Sequence, residues 1–194
     1  MTFEHALIHT CTIQARALKH KLFFKTGTVA FTNGETITGA TASGVVDRFV
    51  LSTGAWGSGT AAGYVILKTV SGTFVDSEAL TGTSTGRANA NGANAAFANS
   101  TGEKEYYWAT SIADVRVKFY WISRRVRLLE SGEEPIKVLM CWIPGSLTIS
   151  EDDYRITTTT TGFTGTYEIK SLVPKPWQTV ATHHYEAELS KVVN

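Results

Sequence analysis

A histidine pair near the end of the chain carries residue types that bind metals. His183 and His184 are followed by Glu186 and Glu188, and imidazole and carboxylate groups are both zinc ligands. On a β-strand, His184, Glu186 and Glu188 would share one face because successive side chains alternate. Such a row is more often a solvated or subunit-facing surface than a metal site. We therefore expect a strand here and no bound metal.

The other acidic residues favour turns and caps over catalysis. Glu151-Asp152-Asp153 lacks the alternating ligands and the glycine turn of a calcium loop, and aspartates before a strand commonly fix a bend. Glu35 and Glu78 each stand close to a Thr-Gly turn, where a carboxylate usually bonds locally. No glycine-rich phosphate loop with a following Lys and Ser or Thr is present. The sequence predicts no catalytic residue, no cofactor and no enzyme.

A charged segment from Ser123 to Pro135 is the strongest candidate for a contact site. It begins basic and ends acidic, and we interpret it as a flexible connector. Its arginines could bind nucleic acid phosphates or acids of a neighbouring subunit, although a net charge of +1 lowers the expectation of nucleic acid binding. The candidate contact residues are Ser123, Arg124, Arg125, Val126, Arg127, Glu130, Glu133 and Glu134.

Apolar and polar residues alternate with a period of two in several segments, which is typical of half-buried strands. Turn residues such as Pro144-Gly145 separate them. The sequence therefore predicts an all-β chain with a small antiparallel β-barrel or sandwich. The segments are Cys11–Gln14, Val115–Phe119, Val138–Ile143, Tyr154–Ile156, Tyr167–Ile169 and Tyr185–Leu189.

The composition changes abruptly between Thr26 and Lys104. This span holds 13 of the 17 glycines, none of the four prolines and only nine charged residues. A shift of this kind marks an inserted module or a long linker. We predict that residues 1–25 and 105–194 form one domain, and that residues 26–104 form a second, inserted β-domain.

An internal repeat supports a folded module. Phe31-Thr-Asn-Gly-Glu-Thr-Ile-Thr-Gly39 and Phe74-Val-Asp-Ser-Glu-Ala-Leu-Thr-Gly82 share Phe, Glu, an aliphatic residue, Thr and Gly at the same spacing. We interpret the two copies as related β-hairpin units. Tyr64–Val70, between them, predicts a strand. The Asn-, Ala- and Gly-rich segment Arg87–Ser100 is expected to be loop or weakly ordered chain.

Cysteine content and hydropathy limit the setting of the protein. Cys11 and Cys141 are expected to be buried free thiols in a reducing compartment. The N-terminus does not resemble a secretory signal, and no stretch reaches the roughly 20 apolar residues of a membrane span. Charged residues make up 18% of the chain, below the roughly 25% typical of soluble domains, which indicates surface covered by partners.

Both flanks of the inserted segment resemble the head-closure proteins of tailed bacteriophages, also called stoppers or head–tail joining proteins. Leu7-Ile-His9-Thr-Cys-Thr-Ile13-Gln14 is similar to the first strand of that family. Ile149 to Ile156, Thr166 to Ile169 and His183 to Leu189 are similar to its closing strands, although Tyr154 separates the Asp and Arg that are adjacent in the family. The resemblance covers about 110 residues.

The resemblance implies a structural virion protein at the phage neck, assembled in the host cytoplasm. Its expected partners are further copies of itself in a six- or twelve-fold ring, the portal or adaptor ring above, tail proteins below and packaged DNA in the channel, with no membrane. In the family a segment between two central strands closes the channel, and the matching position is Ser123–Pro135.

Other functions remain open from the sequence. A tail terminator would also fit a neck or tail position. A carbohydrate-binding module would use exposed aromatic residues, with Trp56 as the residue to test. A hydrolase would require activity that depends on Glu35 or Glu78.

Overall fold

The computed structural model describes residues 7–128, 132–176 and 182–193, and the all-β prediction is confirmed. A single-turn 3-10 helix, Trp56–Ser58, interrupts the strands. The strands are β1 (His9–Leu18), β2 (His20–Val29), β3 (Thr36–Thr38), β4 (Ala42–Thr53), β5 (Ala61–Gly72), β6 (Ala79–Gly82), β7 (Arg87–Ala90), β8 (Ala95–Ala96), β9 (Tyr106–Leu128), β10 (Gly132–Pro144), β11 (Tyr154–Thr158), β12 (Gly165–Pro176) and β13 (Thr182–Lys191).

The chain divides into two compact units. Met1–Arg16 and Trp108–Asn194 form one, which we call the terminal barrel, and Ala17–Tyr107 forms the other, the inserted barrel. The division differs from the predicted boundary at residue 26 because β2 belongs to the inserted barrel. The glycine-rich composition starts within β2, so the change in composition does not mark the fold boundary.

The terminal barrel is a closed antiparallel barrel in the order β1-β11-β12-β13-β10-β9. Alternate residues of each strand point inward, as the period-two pattern predicts, and fill one apolar core. The largest fully buried members are Ile13, Ile143 and Ile156. The other buried core residues are Cys11, Val115, Val117, Phe119, Leu139, Cys141, Tyr167, Ile169, Ala187 and Leu189.

The inserted barrel is also closed. Its ring of strands runs β5-β4-β3-β6-β7-β2 and closes through pairing of β2 with β5, while β8 adds to one end of β2. The predicted strand Tyr64–Val70 lies within β5. The expectation of loop at Arg87–Ser100 is wrong for residues 87–90 and 95–96, which form β7 and β8, and the segment buries Ala88, Ala90 and Phe97. The small side chains of this segment allow close packing. The same Ala-, Asn- and Gly-rich composition is also typical of loops, which is why the sequence favours a loop here.

The two sequence repeats form two related hairpins, β3–β4 and β6–β7, as predicted. Strand β3 pairs antiparallel with β6, with Ile37 opposite Gly82 and Thr38 opposite Thr81. Phe31 and Phe74, the first residues of the two copies, are both buried. The inserted barrel is therefore built around an approximate internal two-fold relation.

Candidate functional site

The described residues of the predicted contact segment lie in two paired antiparallel strands, where the sequence analysis expects a connector. Strands β9 and β10 stay in register from Lys118 opposite Trp142 to Leu128 opposite Gly132. Arginines alternate with Val126 and Leu128 in this part of β9, which is a strand pattern that charge obscures in the sequence. We call Ser123–Leu128 with Gly132–Lys137 the β9–β10 arm.

The arm extends beyond the wall of the terminal barrel. Strand β10 pairs with β13 only from Leu139 to Pro144, whereas its pairing with β9 continues to Gly132. Among the described strands, residues Gly132–Val138 therefore pair on one side alone. A two-stranded ribbon of this kind offers backbone groups to a further strand.

Arg124 is placed at the root of the arm by a short ion pair. Its guanidinium donates to the Glu188 carboxylate of β13 at 2.6 Å. Ser123 is exposed beside it, opposite Lys137. Of the other predicted contact residues, Glu130 lies outside the described residues, as do the side chains of Arg125, Val126, Arg127, Glu133 and Glu134. Their contact role stays a prediction.

A cavity of about 520 Å³ opens where the arm leaves the barrel. We call it the mouth cavity. Trp121 and Lys137 come from the root of the arm, Glu188 and Lys191 from β13, and Thr164 from the loop before β12. The sequence prediction missed this cavity. Residues two apart on a strand point to the same side. Trp121, Lys137 and Lys191 each lie two residues from a buried core residue, namely Phe119, Leu139 and Leu189. This alternation is the sequence feature that marks them as inward-facing.

An aromatic cluster lies beside the cavity. Trp121 stacks on Phe163 at 6.4 Å between ring centroids, and Phe163 stacks on Phe119 at 5.3 Å. His9 contacts both phenylalanines, and its Nδ1 accepts a hydrogen bond of 2.9 Å from the Phe119 backbone N–H. Burial, together with the nearby Lys118 charge, lowers the pKa of His9. The ring is therefore neutral at pH 7, with Nδ1 as the acceptor.

The two glutamates of the β13 row form ion pairs with basic residues of β12 and β9. Glu186 pairs with Lys175 at 3.1 Å, and Glu188 pairs with Arg124. The His184 Nε2 lies 3.9 Å from a Glu186 oxygen. Within the described ranges, no three potential ligands converge on one point. The side chain of His183 lies outside the described residues. The alternation itself is confirmed, since Ala187 and Leu189 face the core.

The acidic run before β11 forms a turn, as predicted. Glu151, Asp152 and Asp153 lie in turn conformation. Glu151 accepts a hydrogen bond of 2.7 Å from the Leu172 backbone N–H, and the Asp153 carbonyl accepts one of 2.7 Å from the Arg16 N–H. These bonds join the turn to β12 and β1.

The two repeat glutamates are structural and form a reciprocal arrangement. Glu35 is 5% exposed, and its carboxylate accepts hydrogen bonds from the backbone N–H of Thr32 at 2.6 Å and of Ser84 at 3.1 Å. Glu78 accepts from Val75 at 2.7 Å and from Ala40 at 2.6 Å. Each glutamate bonds its own turn three residues back and the loop that follows the other copy.

A charge network stabilises one side of the inserted barrel. Lys19 lies between Asp47 at 2.8 Å and Glu105 at 3.4 Å, and Arg48 donates to Glu105 at 2.9 Å. The hydrogen bond from Arg48 lowers the pKa of Glu105. Burial alone would raise the pKa of Asp47, but hydrogen bonds and charges of Lys19 and Lys68 hold it below its usual value.

Trp56 is partly buried and packs against the core of the inserted barrel. Its ring stacks on Phe24 at 5.1 Å and meets Phe31 and Phe49 edge-on. The carbohydrate-binding alternative, with Trp56 as its test residue, stays a prediction. Trp121, 53% exposed, is the tryptophan that offers an open surface among the described residues.

Both cysteines are buried free thiols, as expected. Burial raises the pKa of Cys11 to about 12. Burial, with a contribution from Cys11, raises the pKa of Cys141 well above its usual value. Thiols with such pKa values are poor nucleophiles at neutral pH.

No helix of the described residues is long and apolar enough to cross a membrane. No family model, curated protein or solved structure matches the sequence or the fold.

Proposed function

We propose that this protein is a structural subunit of a tailed-phage neck, a head-closure ring protein that joins the portal or adaptor to the tail. The proposal starts from the resemblance of the two flanking segments to that family. The flanks lie together in the terminal barrel, which includes β1, β11, β12 and β13. The inserted barrel is an addition to the compact form of the family.

One observation carries the proposal furthest. The β9–β10 arm extends past the last pairing with β13, and the resemblance implies that the family's channel-closing segment falls at this position. Its backbone offers a strand edge to a neighbouring copy, as ring building by strand addition requires. Its basic half would face DNA or acids of the adjacent ring.

The hydrolase alternative has little support from the sites at Glu35 and Glu78. Both carboxylates accept hydrogen bonds from backbone N–H groups of turns and loops.

Native mass spectrometry of the purified protein tests the proposal. We expect rings of six or twelve copies, and a variant in which residues 125–134 are replaced by Asn-Gly should remain monomeric with its barrels folded. Lys104→Glu, an exposed change in the inserted barrel, is the matched control and should assemble normally. A wild-type protein that stays monomeric at all concentrations, with or without neck partners, would overturn the proposal.

A further inference from the structure

The ladder between β10 and β13 ends where two lysines would face each other. Leu139 lies opposite Leu189, and two residues further along the same register would place Lys137 opposite Lys191. Like charges directly opposite each other destabilise a strand pair. The pairing of β10 with β13 stops at Leu139 and Leu189, before it reaches the two lysines. Lys137 and Lys191 both line the mouth cavity.

The mouth cavity has an excess of positive charge. Within the part of the chain that the structure describes, neither Lys137 nor Lys191 has a carboxylate within ion-pair distance. Glu188, the carboxylate in the cavity wall, is held by Arg124 at 2.6 Å. Lys170 is paired with Glu168 at 2.7 Å. Two lysines therefore remain to bind an anionic group.

The surroundings of the lysines favour an extended peptide. Trp121 is 53% exposed in the cavity wall and is held by its stacking on Phe163. The edge of β10 at Gly132–Val138 lacks a ladder on its β13 side among the described strands. A strand added to such an edge forms main-chain hydrogen bonds, while pockets beside it select alternate side chains.

We propose that the mouth cavity and the adjoining edge of β10 bind an extended acidic segment of a partner protein by strand addition. An acidic side chain of that segment lies between Lys137 and Lys191 and relieves their repulsion. An apolar side chain contacts the Trp121 indole. The inference rests on the geometry of the terminal barrel and holds whether or not the protein belongs to a phage neck.

Charge complementarity selects a peptide over nucleic acid. Nucleic acid binding generally uses a basic stripe that neutralises several successive phosphates. The mouth cavity has a carboxylate in its wall and two lysines that no carboxylate of the described residues pairs with. A short acidic segment matches this charge, and a polyphosphate backbone does not.

Fluorescence anisotropy with defined probes tests the proposal. The first probe is a labelled peptide of alternating glutamate and valine with a central phenylalanine. The second is the same peptide N-methylated at alternate residues, which keeps the charges but blocks strand pairing. The third is a labelled oligothymidylate. We expect saturable binding of the first probe, and at least about tenfold weaker binding of the other two.

Variants of the full-length protein complete the experiment. Lys137→Glu combined with Lys191→Glu, and separately Trp121→Ala, should each weaken peptide binding about tenfold or more, while Lys104→Glu should not change it. If the double variant does not fold, the single Lys137→Gln and Lys191→Gln variants serve. Absence of saturable peptide binding, equal binding of the N-methylated peptide, or tighter binding of oligothymidylate would overturn the proposal.

Discussion

The carboxylate of Glu35 fills the space that a side chain on Gly82 would occupy. Glu78 does the same for Gly39, where an added Cβ would lie 2.6 Å from the carboxylate oxygen. Each glutamate thus requires the glycine of the other repeat copy. This reciprocal packing explains why the Glu and the Gly recur together in the two copies, and it joins the hairpins at the centre of the inserted barrel.

Gly82→Ala should destabilise the inserted barrel by about 1–3 kcal/mol, the usual range for an overpacked site. The new methyl group would displace the Glu35 carboxylate from its backbone partners. Hydrogen exchange of the segments around Ile37 and Leu80 measures the local stability. Gly57→Ala is the matched control, because an added Cβ there meets no atom within 4 Å. Equal exchange rates in the two variants would contradict the reciprocal packing.

Removing the Glu35 carboxylate should be more harmful than neutralising it. Glu35→Ala leaves the Thr32 and Ser84 N–H groups without their acceptor, and each lost bond of this kind costs about 1–3 kcal/mol. Glu35→Gln keeps one acceptor oxygen and should cost less. Chemical denaturation ranks the two variants. A larger loss for Gln than for Ala would show that the carboxylate does not cap these turns.

His9 should make the terminal barrel less stable as the pH falls below about 6.5, the usual pKa of an unfolded histidine. Its folded pKa is lowered, so the unfolded chain takes up the proton first and stability decreases with falling pH. The protonated ring also cannot accept the Phe119 N–H. His9→Asn keeps an acceptor without this titration, so its melting temperature should vary less between pH 7 and pH 5. If the melting temperature of that variant falls with pH as steeply as that of the wild type, groups other than His9 cause the loss of stability.

Lys19→Met should destabilise the inserted barrel by about 1–2 kcal/mol, because two part-buried carboxylates lose their shared cation. Lys25→Met, which breaks a more exposed pair with Asp76, should destabilise the barrel less than Lys19→Met does. Thermal unfolding at low and high salt compares the two. The lowered pKa values of Asp47 and Glu105 also predict a pH dependence. The stability that these ionised carboxylates contribute is present at neutral pH and is lost as acid protonates them.

The strands could be predicted because burial follows their alternation. Ile13, Val117 and Ile156 occupy inward positions of three strands, and the same parity identifies Ala187 and Leu189. The two related hairpins could also be predicted, because the repeat copies begin with equivalent residues, Phe31 and Phe74, and both are buried. These features depend on residues close in sequence, which a single chain displays directly.

Alternation alone could mark inward-facing residues but could not bring those of the mouth cavity together, because the cavity depends on pairing between distant strands. Lys137 and Lys191 come near each other only through the register of β10 with β13, which the sequence does not display. The arm was misread for a different reason. The charges of Arg125 and Arg127 favour a connector, while Val126 and Leu128 carry the strand pattern between them.

Immunogold labelling of isolated phage particles, with an antibody raised against the purified protein, tests the central claim most directly. The neck assignment predicts label at the junction between head and tail, and an averaged ring of six or twelve copies at that position. Label confined to the tail tip or the capsid surface, or particles that carry none of the protein, would contradict it.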